Sequence, residues 1–329
     1  MKKPSRLLFG LALATSLAVP AVHAESARTP LDRPALMSAK ASKSMLIDVT
    51  LAGQRLVAVG ERGHIVFSDD NGKTWGQAKV PVSVMLTSVY FPTPQRGWAV
   101  GHNGVILHSA DAGATWTVQL ADRDADSQKA GAPLLGVWFA DASTGYAVGA
   151  YGYFLKTTDG GATWSDNSAA LDNPDGWHLN AIRGVAGGPV YIVGEHGKLF
   201  RSQDNGGSWS ALASPFEGSF FGVSPLGRDL VLIYGLQGRL FVSADQGSSW
   251  QQVQTGVTSG INAVARLENG KVVVAGNAGV VLVAADARLD LVPEMQSDRK
   301  SIASVIAVGG NGIVTVGDGG AKSIALGQK

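Results

Sequence analysis

The sequence contains no cysteine. That excludes disulfides, thiolate metal sites and cysteine nucleophiles, so the fold has to rest on packing and on closure of its own sheets. Charge is also scarce. Only 16% of the residues are Asp, Glu, Lys or Arg, and the formal net charge is +1. Lys2, Lys3 and Arg6 fall in the first 24 residues, which hold no acid, so the rest of the chain carries 24 basic against 26 acidic residues. A balance this close to neutral gives no electrostatic case for nucleic acid or for an anionic membrane surface. After the N-terminus, no apolar run approaches the roughly 20 residues that span a bilayer. Helical periodicity of any length is missing as well, so helices should be rare. What is present is 45% hydrophobic residues, enough for a large core, and 43 glycines without a triplet period, the mark of many tight turns.

The N-terminus reads as a signal peptide over residues 1–24. A positive region is followed by an apolar stretch at 7–19, about 13 residues long and too short to cross a bilayer. Val22-His23-Ala24 places small residues where a signal peptidase reads them, so cleavage is expected after Ala24. The expected location is periplasmic or secreted, with no direct membrane insertion after cleavage.

Two repeats run through residues 25–329. The first, Ser-x-Asp-x-Gly-x-Thr/Ser-Trp, appears as SDDNGKTW (68–75), SADAGATW (109–116), TTDGGATW (157–164), SQDNGGSW (202–209) and SADQGSSW (243–250), with its tryptophans 41, 48, 45 and 41 residues apart. A degenerate sixth copy around 284–291 keeps Asp286. The second repeat, Gly-x-x-Gly, occurs seven times: Gly60/Gly63, Gly101/Gly104, Gly149/Gly152, Gly194/Gly197, Gly235/Gly238, Gly276/Gly279 and Gly317/Gly320. Each unit reads as short strands, for example 87–91, 97–100, 105–109 and 116–120 in the second, and two runs split by a two-residue turn form a hairpin. Four strands per unit of about 41 residues is the sequence mark of a propeller blade.

The fold class is therefore all-β: one seven-bladed β-propeller of four-stranded antiparallel blades, at approximately 44–80, 81–121, 134–169, 179–213, 218–255, 259–292 and 300–329. The last unit offers three strands, and residues 34–40 are expected to add its missing outer strand and close the ring. In the Trp-ending motif the aspartate can accept N–H groups of its own turn, the glycine supplies an unusual backbone shape and the tryptophan packs. The pairs Asp70/Trp75, Asp111/Trp116, Asp159/Trp164, Asp204/Trp209 and Asp245/Trp250 are thus read as structural, each ring packing against the neighbouring blade or over its own turn.

This motif is the Asp-box, or BNR repeat, of sialidases and sortilin-type receptors. Together with the Gly-x-x-Gly turns, in units such as GWAVGHNGVILHSADAGATW (97–116) and GYAVGAYGYFLKTTDGGATW (145–164), the chain most resembles the photosystem II stability/assembly factor family and its relatives in non-photosynthetic bacteria. The resemblance implies a non-enzymatic scaffold that helps assemble or stabilise membrane-protein complexes. The link of bacterial relatives to RND/MMPL-type exporters implies a periplasmic accessory role.

The repeat also places a candidate site. The strand 2–3 turns share a face with the links between blades, and loops on a fixed frame are where binding residues concentrate. The seven turn pairs are Glu61-Arg62, His102-Asn103, Ala150-Tyr151, Glu195-His196, Leu236-Gln237, Asn277-Ala278 and Asp318-Gly319. The two longer spacings add loops to this face, one with Asp122, Asp124 and Asp126 and one with Trp177 and His178, where Trp177 is a candidate interface anchor. The partner-binding candidates are Glu61, Arg62, His102, Asn103, Tyr151, Glu195, His196, Gln237, Asn277, Asp318, Trp177 and His178.

No cofactor and no metal is expected. The three aspartates lack the glycine and final glutamate of an EF-hand loop, no histidines form a metal-spaced pair, and the Gly-x-x-Gly turns join two strands rather than a strand and a helix. A sialidase-type hydrolase would need Arg62, Arg183 and Arg239 to converge with Tyr151 and Glu195, and nothing in the sequence selects that arrangement. A small-ligand-binding propeller is the third reading.

Overall fold

A computed structural model describes residues 29–121 and 131–327. The residues expected to form the signal peptide, and Asp122, Asp124 and Asp126, lie outside the described residues. The described chain forms seven antiparallel sheets, each built from strands consecutive in sequence. The first blade runs Leu46–Ala52, Arg55–Gly60, Ile65–Ser68 and Gly76–Gln77 from the inside of the ring outward. No α-helix occurs among the described residues, only short 3-10 turns.

The burial pattern explains why these segments are strands. A second strand has a neighbouring blade against each face, so it is apolar throughout instead of alternating. Arg55–Gly60, Gly97–Gly101, Gly145–Gly149, Val190–Gly194, Val231–Gly235 and Val272–Gly276 are buried along nearly their whole length. Outer strands have only two residues in most blades and lie at the rim. Aromatic stacks fill the seams. Trp98 of the second blade stacks on Phe139 of the third at 3.7 Å, and Trp164 meets Phe139 edge-on at 5.9 Å.

The Gly-x-x-Gly frame is a close-packing device. Gly60 sits where a Cβ would lie 2.2 Å from the Met45 carbonyl oxygen of its own blade. Gly63 has φ +72°, and its Cβ would lie 2.2 Å from the Val82 carbonyl oxygen in the link to the second blade. The strand 2–3 turn and the inter-blade link therefore touch on one face, as the repeat predicts.

Ring closure differs from the sequence expectation. The seventh sheet has three strands, Ile302–Val308, Gly312–Gly317 and Lys322–Ala325, and residues 34–40 do not supply a fourth. They run along the first blade instead: the Ala35 N–H donates to the Val80 carbonyl, and the Gln77 amide to the Leu36 carbonyl. The reason is reach. Four of the links from an outer strand to the next inner strand take eight residues (78–85, 212–219, 253–260 and 294–301), whereas only 41–45 separate residue 40 from Leu46, and three of those are wound into Ala41–Lys43. Direct packing closes the seam, with Leu46, Leu56 and Ala58 of the first blade clustering with Val314 and Val316 of the seventh. One backbone bond, from the Ala321 N–H to the Ser42 carbonyl, completes it.

Candidate partner-binding face

The Asp-boxes leave their carboxylates little to offer a substrate. In the first, the Asp70 carboxylate accepts from the Ser68 hydroxyl (2.8 Å), the Thr74 N–H (2.8 Å) and the Thr74 hydroxyl (2.6 Å), while the Gly72 N–H donates to the Ser68 hydroxyl. The same three contacts recur at Asp111, Asp159, Asp204 and Asp245. Hydrogen bonds to the ionised form hold Asp70, Asp159, Asp204 and Asp245 down at about 2.

The box tryptophans take both of the expected placements, over their own turn and against the neighbouring blade. Trp75 and Trp116 donate their indole N–H to the carbonyls of Gly72 and Gly113 in their own turns, and Trp116 is fully buried. Trp164, Trp209 and Trp250 are half-buried, as Trp75 is, but each encloses an indole N–H that finds no acceptor. Packing at the seam with the preceding blade surrounds these rings. Trp209 of the fourth blade stands edge-on to Tyr146 (6.2 Å) and Phe154 (5.5 Å) of the third. Trp250 of the fifth packs into the cluster of Tyr191, Val193 and Leu199 of the fourth. These three rings are structural through packing alone, at the cost of an unpaired N–H each.

On the other face, the strand 2–3 turns carry their variable residues outward on a strained frame. Arg62, Asn103, Tyr151, His196, Gln237 and Ala278 all have φ between 49° and 58°, a region that L side chains enter at a cost. Arg62, His102, Asn103, His196, Gln237 and Asp318 are exposed, and Tyr151 is 61% exposed. Asn277 is exposed as well, with its amide oxygen accepting from the Asn262 amide at 2.8 Å.

Five of the candidates come together between the third and fourth blades. The loop 173–178 is clamped by Asn173, whose side chain donates to the Trp177 carbonyl (2.9 Å) and accepts the Trp177 N–H (3.2 Å). This sets the half-buried Trp177 ring face to face with exposed His196 at 3.7 Å. His178 lies edge-on to Tyr151 at 5.2 Å, and its N–H donates to a Glu195 carboxylate oxygen at 3.1 Å. The other candidates stay apart. Glu61 and Arg62 belong to the first blade, His102 and Asn103 to the second, Gln237 to the fifth and Asp318 to the seventh.

The arginines of the hydrolase reading do not converge with Tyr151 and Glu195. Arg62 is on the first-blade turn, and the Arg239 guanidinium lies over Phe216 at 5.6 Å. Arg183 is inside the central channel, where one Nη donates to the carbonyls of Ile182 and Val137 and the other reaches Asp48 at 3.2 Å.

That channel, about 760 Å³, is where sequence reasoning missed a constellation. Every inner strand has a β-bulge at its start, and the bulged residues Ile47, Thr87, Leu135, Asn180, Phe221, Asn262 and Ala303 all line the channel. Three of them clip one blade to the next: Thr87 donates to the Leu134 carbonyl, Asn180 to that of Phe220 and Asn262 to that of Ile302. Deeper in, the buried Asp48 carboxylate accepts from Ser88, Ser304, the N–H groups of Val49 and Val89, and Arg183. It thereby joins the first blade to the second, fourth and seventh. A signal was available, since Asp48, Arg183 and Arg266 are the three charged residues on the seven inner strands.

No curated protein matches the sequence. Among solved structures, the chain is similar to YCF48 bound to D1 peptide (TM-score 0.69, 16% identity, 87% of this chain and 94% of that one). It is also similar to YCF48 from Cyanidioschyzon merolae (TM-score 0.66, 16% identity, 88% and 97%). The WD40 propeller domain of Doa1 superposes as well (TM-score 0.67, 12% identity, 87% and 94%), so these likenesses speak to the fold alone. A family model does more: that of the photosynthesis system II assembly factor YCF48 matches residues 68–131 and 124–287, the part of the chain with all five complete Asp-boxes. By that match, across more than half its length, the chain belongs to the YCF48 assembly-factor family.

Proposed function

We propose that the protein is a non-enzymatic periplasmic scaffold that binds and helps assemble or stabilise a membrane-protein complex, with an RND/MMPL-type exporter as the partner to test first. The observation that carries the reading is the turn face. A repeated glycine frame presents a different residue pair on each blade, and the loop between the third and fourth blades brings Trp177 and His178 beside Tyr151, Glu195 and His196 on one surface. Half-buried aromatics beside polar groups are the composition of interface anchors. Family membership supports a protein-binding role, and one YCF48 structure holds a D1 peptide. The acids point the same way: the boxes use theirs within their own turns, and Asp48 has its oxygens filled by five donors. The export pattern of residues 1–24 supports the location.

The test is purification of the tagged full chain from detergent-solubilised envelope of its own cell, with identification of what accompanies it. A stoichiometric membrane protein whose recovery falls at least fivefold when Tyr151 and His196 are changed to alanine is the expected result. Recovery of the propeller alone, across mild detergents and after crosslinking, would overturn it.

A further inference from the structure

The turn face is electrically lopsided, and its aromatic surface lies on the acidic side. Around the stacked Trp177 and His196, the loop at 172–178 exposes Asp172 and Asp175, the fourth-blade turn contributes Glu195, and the link to the fifth blade exposes Glu217. That link packs on the same turn, since the Gly197 N–H donates to the Gly218 carbonyl. Two cations stand nearby, Lys198, which donates to the Asp172 carbonyl, and Arg239, which lies over Phe216, so the four carboxylates leave this side net acidic. The opposite arc, over the seventh and first blades, exposes Lys40, Lys43, Arg62, Arg299 and Lys300 against Asp298, which is paired with Lys322, and Asp318.

We propose that the partner segment bound here is cationic, placing a lysine or arginine on the face of Tyr151 and the rim of the Trp177–His196 stack, within reach of Asp175 and Glu195. An aromatic face attracts a cation through its quadrupole, and flanking carboxylates add directional hydrogen bonds without a conformational change. Tyr151 is suited to this role. It is the largest side chain among the left-handed turn residues, and it is held exposed by a rigid frame that lets it lose little freedom on binding. The same surface discriminates against an acidic segment, which would meet four carboxylates.

The inference rests on the scaffold reading, and one experiment separates the two. In the full chain in its own cell, Tyr151 is replaced by the photo-crosslinking residue p-benzoylphenylalanine, and Arg62 is replaced likewise in a parallel strain. Adducts are mapped to the partner residue by mass spectrometry. The expected result is a Tyr151 adduct whose partner peptide has Lys or Arg within about three residues of the crosslink, its yield falling roughly three- to tenfold with Asp175→Asn plus Glu195→Gln. Asp175 is exposed, so Asp175→Asn alone preserves the fold and lowers the yield in the same direction. An adduct on a segment without a cation, or a yield indifferent to the acids, overturns the proposal. A copurifying partner that crosslinks from Arg62 and not from Tyr151 also overturns it while leaving the scaffold reading standing. If no partner is captured from either position or by copurification, both fail.

Discussion

At the scale of single residues, the two kinds of aspartate in this protein do opposite work. An Asp-box aspartate lies at the surface and organises its own turn; Asp48 is buried and ties blades together. Replacing Asp48 by alanine leaves Arg183 with no carboxylate and two serine hydroxyls without their acceptor. Losing one member of a fully buried pair costs about 3–5 kcal/mol. The Arg183 side chain is 31% exposed, and solvent screening reduces this to roughly 2 kcal/mol, readable as a shift in the urea midpoint. Box tryptophans act through packing. Trp116 is buried against Phe91 at 5.8 Å, and Trp116→Ala is expected to cost about 3–5 kcal/mol by the same measurement. Trp209→Ala and Trp250→Ala should each cost less, because those rings are half-buried and their loss also removes an unpaired N–H.

At the scale of elements, the informative unit is the second-strand hairpin with its glycine frame. Gly63 combines a positive φ with a backbone carbonyl in the place of a Cβ, so Gly63→Ala strains the turn and pushes the link to the second blade away. A loss of about 1–2 kcal/mol or more is expected, together with faster amide hydrogen exchange at residues 82–84 than in the wild type. An unchanged midpoint would show that the link yields without cost. The sequence made these hairpins legible, because apolar runs, a two-residue turn and flanking glycines are local signals. The strands seen at Gly97–Gly101 and Ile106–Ser109 fall within a residue of the spans read from the second repeat. The bulges were not legible. A bulge is a mismatch between two strands, and the residues flanking Thr87 or Asn180 do not mark it.

At the scale of the whole molecule, stability should fall in acid with a defined sign. Four box aspartates have folded values near 2, below their usual 3.8, so the stability they contribute is present above about pH 4 and is lost as pH falls toward 2. His64 acts at higher pH. Burial lowers its value while its Nδ1 hydrogen-bonds to Ser44 at 2.9 Å, so the unfolded chain takes up its proton first and stability declines as pH drops through the usual histidine range. Thermal midpoints measured from pH 8 to 2 should show a shallow early decline, removed by His64→Gln, and a steep one below about pH 4, shared among the boxes. Closure gives another test. Residues 34–40 lie along the first blade and not on the seventh, so removing residues 1–40 should lower the midpoint and keep a single cooperative transition. Two separate transitions would mean the segment holds the ring together.

By itself, the sequence determined the blade count, the order of strands and the face on which variable residues emerge, because each follows from a repeat whose parts interact within some 40 residues. It also named Tyr151, Trp177, His178, Glu195 and His196, without joining them into one surface. Only the tertiary structure decided that they adjoin, that Trp209 and Trp250 answer to the preceding blade instead of their own turns, that Arg183 turns into the channel to meet Asp48 at 135 positions' remove, and that the seventh blade closes with three strands. The physical reason is common to all four. These outcomes depend on the distances between blades and on how far a short link can reach, and those are set only when the ring is closed.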